Sequence, residues 1–301
     1  MNAVPVAARG RLNDKAFNLL NSALMLFVLF ATLYPFYYCI VLSFNDGRDA
    51  MKGFIFLFPR EFTLDNYKTA LSDNLVLNSF AVTTLRTLAG TLASVFFNAM
   101  VAYALTKKEL KLRKIYISIG LFSMYFSGGM IPTYLLIKQL GMIDKFAVYI
   151  IPTLSYFFNI LIYMAFFRDI PASLVESAKI DGANEFYIFI RIIIPVSTAV
   201  IATIALFYGV YHWNSWYEPY IYVSNPKLQT LPALLVKMIN QSLAEELVRN
   251  SGRSAMSFNF GIPSNSVRLA TMVIATAPIM AVYPFLQKYF VKGIMIGSVK
   301  G

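Results

Sequence analysis

Long apolar stretches separated by short polar intervals are the feature that most constrains how this chain can fold. Each stretch has about 20 or more residues, the length that an α-helix needs to cross the hydrocarbon core of a bilayer. The predicted spans cover residues 17–44, 75–106, 115–137, 146–167, 192–223 and 269–290. Apolar residues make up 58% of the 301 residues and charged residues only 14%, a balance that few soluble domains have. We therefore predict an all-α membrane protein with six transmembrane helices.

The basic residues indicate how these helices are oriented. The chain carries a formal net charge of +11, and five basic residues lie close together in the interval 107–114 between the second and third stretches. Because Lys and Arg accumulate in short cytoplasmic loops, this interval and both termini are expected in the cytoplasm. Much of the positive charge is thus an orientation signal, and no basic patch on a soluble fold accompanies it. The composition therefore argues against nucleic-acid binding.

The pattern along the chain separates two parts. Residues 1–73 hold a short basic tail, the first span and an outer loop, and residues 74–301 hold a core domain with the other five spans. The sequence contains no Gly-x-x-x-x-Gly-Lys-Ser/Thr phosphate loop, so the chain does not bind ATP by that device. We predict no catalytic residues, no metal site and no cofactor bound by this chain.

The charged interval between the fourth and fifth stretches is predicted to form a short helix that ends in a tight turn. Pro171 suits the first turn of a helix, because its missing N–H would have no partner there. Residues 172–181 then form about three turns, and Gly182 is the natural stop because it accepts a left-handed backbone. Ala178 and Gly182 would give a smooth face for the close approach of another protein. The alternative is an ordinary amphipathic interfacial helix that joins two spans.

The spacing in this interval resembles the signature loop of the inner-membrane permease subunits of ABC importers. That loop has Glu-Ala-Ala, three residues, Gly, nine residues, Ile, one residue and Leu-Pro. The residues in the same register here are Glu176, Ala178, Gly182, Ile192 and Pro195, with Ser177 and Ile194 as small replacements. The resemblance implies a type I ABC importer permease fold, in which the loop 169–191 is a coupling helix that docks in a cleft of an ATPase subunit. The ATPase-coupling residues that it implies are Glu176, Ser177, Ala178, Asp181, Gly182 and Ala183.

Two further segments resemble parts of the maltose-type permease. The last residues resemble its glycine-rich tail at the ATPase interface, which would place Gly297, Lys300 and Gly301 there; a frayed terminus is the alternative. The outer interval 224–268 matches a loop that reaches the extracytoplasmic binding protein in those permeases. Its length and Ser/Asn content also fit a passive loop.

Three regions contain candidate residues for a substrate pathway. The third stretch is interrupted by Phe-Ser-Gly-Gly-Met-Ile-Pro at residues 126–132. Broken helices at membrane depth often line a pathway, and a Pro kink with close helix packing is the other explanation. The fifth stretch ends in aromatic residues that suit sugar stacking but more often form a membrane-interface belt. Arg86 is expected either to meet an acidic substrate or, with slight preference, to pair with an internal acid. The candidate pathway residues are Gly128, Gly129, Pro132, Trp213, Asn214, Trp216, Glu218 and Arg86.

The resemblance is nearest to the carbohydrate class, the maltose G-type subunit, and within it to the branch that imports alginate- and pectin-derived sugars. It implies a permease subunit of an ATP-driven, binding-protein-dependent oligosaccharide importer that works by alternating access in the bacterial cytoplasmic (inner) membrane. The implied partners are a second, related permease in a heterodimer, two ATPase subunits that bind ATP and Mg, and a solute-binding protein. One alternative is an ion-coupled secondary transporter, for which Glu218 is the one candidate coupling acid. Another is the permease of an ABC importer for a non-sugar substrate.

Overall fold

The computed structural model describes residues 7–250 and 265–298 of the chain, and the regular structure in these ranges is helical. In chain order the α-helices are α1 (Ala7–Ser43), α2 (Gly47–Ala50), α3 (Asp65–Ser72), α4 (Asn74–Thr106), α5 (Arg113–Tyr125), α6 (Met130–Gln139), α7 (Phe157–Arg168), α8 (Ala172–Ile180), α9 (Glu185–Ile188), α10 (Ile194–Val196), α11 (Thr198–Asn214), α12 (Tyr217–Tyr222), α13 (Leu231–Asn250) and α14 (Asn265–Ser298). Short 3-10 helices cover Phe146–Tyr149, Ile151–Thr153 and Pro226–Leu228, and a π-helix covers Phe189–Ile193.

Three of the predicted spans are continuous helices and three are bent pairs. The continuous ones are Phe17–Ser43 of α1, all of α4, and Asn265–Val282 of α14. The bent pairs are Arg113–Tyr125 with Met130–Gln139 (119°), Phe146–Thr153 with Phe157–Arg168 (53°), and Glu185–Val196 with Thr198–Asn214 (86°). The six apolar stretches therefore correspond to six helical elements, half of which change direction within the stretch.

The third element turns back on itself. Phe126 is extended, with φ −117° and ψ 123°, and Gly129 has a φ of +83°, a left-handed conformation that glycine adopts without steric cost. The two arms have 13 and 10 residues, or about 20 and 15 Å at the α-helical rise. Since neither arm is as long as the bilayer core is thick, residues 115–137 do not form one straight span.

The fifth predicted span, residues 192–223, is divided into several helices. The chain bends at Ser197 between α10 and α11, and α11 ends at Asn214, so that Tyr217–Tyr222 forms a separate helix. Pro195 lacks a backbone N–H to donate to the preceding turn, and the π-helix just before it already disturbs the regular bonding. An apolar composition alone did not reveal this break.

The chain divides into two compact units, and the first comprises the described parts of residues 1–70 and 260–273. Its outer loop is organised around Asp49, whose Oδ2 lies 2.9 Å from Arg60 Nε and 3.1 Å from Asn45 Nδ2. Asn66 Nδ2 donates to the carbonyl oxygens of Ser43 (2.9 Å) and Asn45 (2.8 Å). These bonds hold the loop against the end of α1.

The second unit comprises the described parts of residues 71–259 and 274–301, and it is built around α4. Gly90 on α4 lies against His212 on α11, where a Cβ on Gly90 would stand only 2.6 Å from His212 Nε2. Small residues let membrane helices approach closely, so this glycine sets the spacing of the two helices. Toward the other end of α4, the main apolar cluster includes Ala102, Tyr163 and Ile188.

Candidate functional site

The predicted coupling helix and its turn are present, and α8, the turn and α9 (residues 172–188) are called the coupling segment below. The N–H of Gly182 donates to the Lys179 carbonyl oxygen at 3.0 Å, and the N–H of Ala183 donates to the Ala178 carbonyl oxygen at 2.9 Å. Gly182 has a φ of +81°. These are the two bonds and the left-handed residue of a Schellman motif, so Gly182 ends α8 as the sequence predicted.

A second cap starts the next helix at once. The Tyr187 N–H donates to Asn184 Oδ1 at 2.8 Å, which satisfies one of the free donors at the start of α9. A Cβ on Gly182 would meet no atom of the described residues within 4 Å. The glycine is therefore required by the backbone conformation of the turn and not by space inside the chain.

The turn presents a mixed apolar and acidic surface. Ile180 is 86% exposed and Phe186 is 60% exposed, and the carboxyl-bearing residues Glu176 and Asp181 are exposed beside them. Two large apolar side chains next to a rigid turn are typical of a protein-interaction surface. Sequence reasoning missed Ile180 and Phe186, because their exposure depends on which faces of α8 and α9 are buried.

The expected smooth face is not formed as predicted. Ala178 is only 9% exposed and belongs to the main apolar cluster, and Ala183 packs against the same cluster. Ser177, in contrast, is exposed. The register of α8 turns Ala178 inward, so that the exposed surface consists of its neighbours in the helix and the turn.

One carboxylate that sequence reasoning missed ties the coupling segment to the end of α4. Glu185 Oε2 accepts from the Tyr103 hydroxyl at 2.7 Å and lies 2.8 Å from Lys107 Nζ. Its other oxygen, Oε1, lies 2.8 Å from Lys179 Nζ on α8. The bond to Glu185 is the main cause that raises the pKa of Lys179 above its usual value. We call these four residues the Glu185 cluster.

A second carboxylate, Glu218, lies beside the N-terminal half of α4, where it pairs with Arg86, and both are candidate pathway residues. Arg86 Nη2 lies 2.9 Å from Glu218 Oε2, and Arg86 is fully buried. Glu218 also accepts from the Tyr211 hydroxyl at 2.6 Å and from the hydroxyl of Ser215. Arg86 Nη1 donates to the Ser215 carbonyl oxygen at 3.1 Å, and its guanidinium lies 4.8 Å from the centre of the Tyr149 ring. Of the two roles considered for Arg86, the pairing with an internal acid is the one observed.

The other candidate pathway residues are not all alike in their environment. Trp213 is engaged in packing, because its Nε1 donates to the Ala275 carbonyl oxygen at 3.0 Å and its ring meets the edge of Phe80. Asn214 is exposed, with its Nδ2 bonded to the Val210 carbonyl oxygen at 3.0 Å. The exposed members are Gly128, Gly129, Pro132, Asn214 and Trp216.

The two remaining predicted segments are described in part. Gly297 lies in α14, whereas Lys300 and Gly301 fall outside the described residues. Within the interval 224–268, residues 251–264 also fall outside them. The described part is not a simple loop, because it contains the helix α13, whose Leu231 N–H donates to Thr83 Oγ1 on α4 at 2.8 Å.

A helical membrane unit with an exposed, doubly capped segment between two of its spans has the features of a transport subunit driven by a separate protein. The chain matches the model of the family "Binding-protein-dependent transport system inner membrane component" over residues 3–296 and belongs to that family. It is similar to protein LplC of Bacillus subtilis (strain 168), with 42% identity over 90% of each chain. It is also similar to the polygalacturonan/rhamnogalacturonan transport system permease protein YtcP of the same organism, with 37% identity over 94% of this chain and 97% of that one.

A solved structure gives the same result for the fold. A bacterial ABC transporter involved in the import of the acidic polysaccharide alginate contains a chain that is 30% identical to this one. The two superpose with a TM-score of 0.82 over 95% of this chain and 100% of that one. The predicted type I ABC importer permease fold is thereby confirmed. The protein is a transport component of an inner membrane and not an enzyme, and the ion-coupled secondary transporter is ruled out.

Proposed function

We propose that this chain imports acidic oligosaccharides as one half of a heterodimeric permease with both termini in the cytoplasm. Its further partners are two ATPase subunits, which bind ATP and Mg, and an extracytoplasmic solute-binding protein. The observation that carries the proposal is the coupling segment: a short helix stopped by Gly182, capped again at Asn184, and exposing Ile180 and Phe186. A short, doubly capped segment with exposed apolar side chains suits insertion into a cleft of a partner protein.

The acidic class of substrate rests on the relatives. One relative is named as a polygalacturonan transport permease, and the transporter of similar structure is involved in the import of alginate. Polygalacturonan and alginate are both polymers of sugar acids. An importer of such fragments must move carboxylates through a region of low dielectric, where a charge needs paired or polar surroundings. The exposed Asn214 and Trp216 at the end of α11 are suitable contacts, since the amide bonds hydroxyls and the indole stacks on a sugar ring.

The mechanism that we propose is alternating access. Closure of the ATPase subunits on ATP moves the coupling segment, in which Glu176 pairs with a basic group and the Gly182 turn fits the ATPase cleft. Because α9 continues through the π-helix and α10 toward the bend at Ser197, this movement is passed to α11. The strongly bent pair α5–α6, with Gly128, Gly129 and Pro132 at its turn, is the candidate element that opens toward the substrate.

The first test is purification of the tagged chain from its native host in mild detergent, followed by mass spectrometry of the associated proteins. Recovery of an ATPase, a second permease and a sugar-binding protein is the expected result. Reproducible recovery of this chain alone, under conditions that keep other membrane complexes intact, would overturn the proposed assembly.

The substrate class is tested with the reconstituted complex. Trigalacturonate and maltotriose have the same number of sugar rings but differ in charge, so they form a matched pair of substrates. We expect accumulation of trigalacturonate and stimulation of ATP hydrolysis by it through the binding protein. Equal or better transport of the neutral sugar would contradict the acidic class while leaving the importer assembly in place.

A further inference from the structure

The structure contains a connection between the coupling segment and α4 that is separate from the surface offered to the ATPase. We propose that Glu185 is a positioning residue that transmits movement of the coupling segment to α4, through its bonds to Lys179 on one side and to Tyr103 and Lys107 on the other. The inference rests on the proposed function, because it assumes that an ATPase moves the coupling segment.

The bonds of Glu185 connect the coupling segment to two helices, α8 on one side and α4 on the other. Glu185 is the first residue of α9, and the Asn184 cap fixes where that helix begins. One carboxylate oxygen meets Lys179 of α8 at 2.8 Å, and the other meets the Tyr103 hydroxyl at 2.7 Å and Lys107 Nζ at 2.8 Å. Glu185 thus joins the helix before the turn to the helix that runs through the unit. Hydrogen bonds that involve charged groups are the stronger kind, and three of them meet on one side chain.

Apolar packing beside the Glu185 cluster also connects α4 to the helix that follows α9. The Tyr103 ring stacks on Phe189, with a centroid distance of 5.4 Å, and Lys107 Nζ lies 4.2 Å from the centre of the Tyr103 ring. Phe189 opens the π-helix that directly follows α9. A displacement of the coupling segment is therefore transmitted to α4 through two contacts. One is the apolar packing of Phe189 on Tyr103, and the other is the set of polar bonds that Glu185 makes.

The length of α4 explains why this connection matters. The helix has 33 residues, or about 50 Å at the α-helical rise. Its far part contains Arg86, which is bonded to Glu218 at the start of α12. A movement delivered at Tyr103 can thus be carried along one continuous helix to Arg86, about 25 Å away at the α-helical rise.

The side chains of Glu185 and Lys179 are 51% and 49% exposed. Ion pairs at such positions add little to stability, because water screens them. A role in folding alone would therefore leave little trace in a Glu185 variant, and a role in transmission would appear as a defect in coupling.

The test uses the complete complex reconstituted in vesicles, with three readings for each variant: recovered ATPase subunit, ATP hydrolysis, and substrate imported per ATP hydrolysed. For Glu185→Gln we expect normal recovery of the ATPase and a fall of about fivefold or more in import per ATP, the lower range of typical coupling between sites. The matched control is Glu109→Gln, which removes an exposed carboxylate whose charge also acts on Lys179. The control should leave all three readings unchanged.

Two further variants separate the sides of the connection. Lys179→Met removes the bond to α8, and Tyr103→Phe removes one bond to α4 while keeping the ring on Phe189. Combining Lys179→Met with Glu185→Gln should lower import per ATP no further than Glu185→Gln alone, since residues that act through one contact are not additive.

Each outcome has a distinct meaning. Unchanged import per ATP in Glu185→Gln, with the ATPase recovered normally, would overturn the positioning role and leave the proposed function standing. Loss of ATPase recovery in Glu185→Gln alone would also overturn it, because Glu185 would then serve docking. Failure of the unaltered chain to recover an ATPase would overturn the proposed function itself.

Discussion

At the C-terminal end of α4 a carboxylate meets two lysines in contact with solvent, and in the N-terminal half of the same helix a carboxylate meets an arginine in the interior. Glu185 and Glu218 share the same chemistry, since each also accepts from a tyrosine hydroxyl, at 2.7 and 2.6 Å. They differ in exposure. The Glu185 side chain is 51% exposed, whereas the Glu218 side chain is 11% exposed and its partner Arg86 is fully buried. A solvated ion pair breaks and re-forms at low cost, whereas a buried one resists separation. We call the bonds of Glu185 to Lys179 and Lys107 the solvated joint, and the Arg86–Glu218 pair the buried joint. The solvated joint suits a contact that changes during transport, and the buried joint suits a contact that keeps α4 and α12 together.

The largest expected effect comes from breaking the buried joint. Arg86→Met leaves the Glu218 carboxylate buried without its cation, which we expect to destabilise the fold by about 3–5 kcal/mol. The double variant Arg86→Met with Glu218→Gln should regain most of this loss, since the amide still has Ser215 and Tyr211 as partners. Unfolding temperature in nanodiscs is the measurement.

A matched arginine sharpens that result. Arg191 is exposed, so Arg191→Met should change the unfolding temperature little, and Glu185→Gln should cost less than about 1 kcal/mol. If Arg86→Met and Glu185→Gln lowered the unfolding temperature equally, exposure would not determine how much each of the two ion pairs contributes to stability.

The next effect concerns the stretch of α4 between the two joints. Gly90→Ala would place a Cβ 2.6 Å from Nε2 of the buried His212, so α4 and α11 would have to move apart. We expect a loss of about 1–3 kcal/mol, as for other overpacked cores. Gly209→Ala is the control, because its Cβ would lie 3.8 Å from Thr91 Oγ1, an ordinary contact. A similar loss at both glycines, measured by thermal unfolding, would argue against close packing at Gly90 as the cause.

A third prediction addresses the turn beside the solvated joint. Gly182→Ala forces a residue with a Cβ into the left-handed region, at about 1–2 kcal/mol, while Gly182→Asn keeps that conformation accessible. Among the residues that the structure describes, no atom lies within 4 Å of the Cβ that either substitution adds. If the turn fits a cleft of the ATPase, Gly182→Asn should fold normally and still lose ATPase recovery, and Gly182→Asp should abolish uptake. Normal uptake with Gly182→Asn would limit the role of the glycine to its backbone conformation.

The two joints also show how far sequence reasoning reaches. The helical stop at Gly182 was predictable because it depends on local backbone chemistry, and a buried partner for Arg86 was predictable because a lone charge in a membrane is costly. The Glu185 cluster was not predictable, since its members come from separate parts of the chain and only the packing of α4 against the coupling segment brings them together. The inward face of Ala178 was missed for a similar reason, because it depends on packing between elements. The bends at Gly129 and Ser197 were underestimated, because a glycine or a proline indicates an interruption but not how far the chain turns there.

The smallest expected effect concerns a third carboxylate, Asp49 in the first unit, which combines features of the other two. It is buried like the Arg86–Glu218 pair, yet its cations, Arg60 and Lys52, are partly exposed as at Glu185. The hydrogen bond from Arg60 is the largest cause that lowers the pKa of Asp49 from its usual 3.8 to about 2, and bonds from Asn45 and Lys52 add to it. Because the folded-state pKa is depressed, the stabilisation is fully present above about pH 4 and is lost as the pH falls through about 2.

Hydrogen exchange of residues 45–62 should therefore be constant between pH 5 and pH 7, after correction for the intrinsic rate, and faster than that baseline near pH 2. Arg60→Met should bring this onset up toward pH 4, whereas Lys68→Met, which removes an exposed pair with Asp65 in the same unit, should leave it where it is. An onset that is unchanged in Arg60→Met would mean that burial and the backbone bonds of Asn66 hold the loop, and that Asp49 belongs with neither of the two joints of α4.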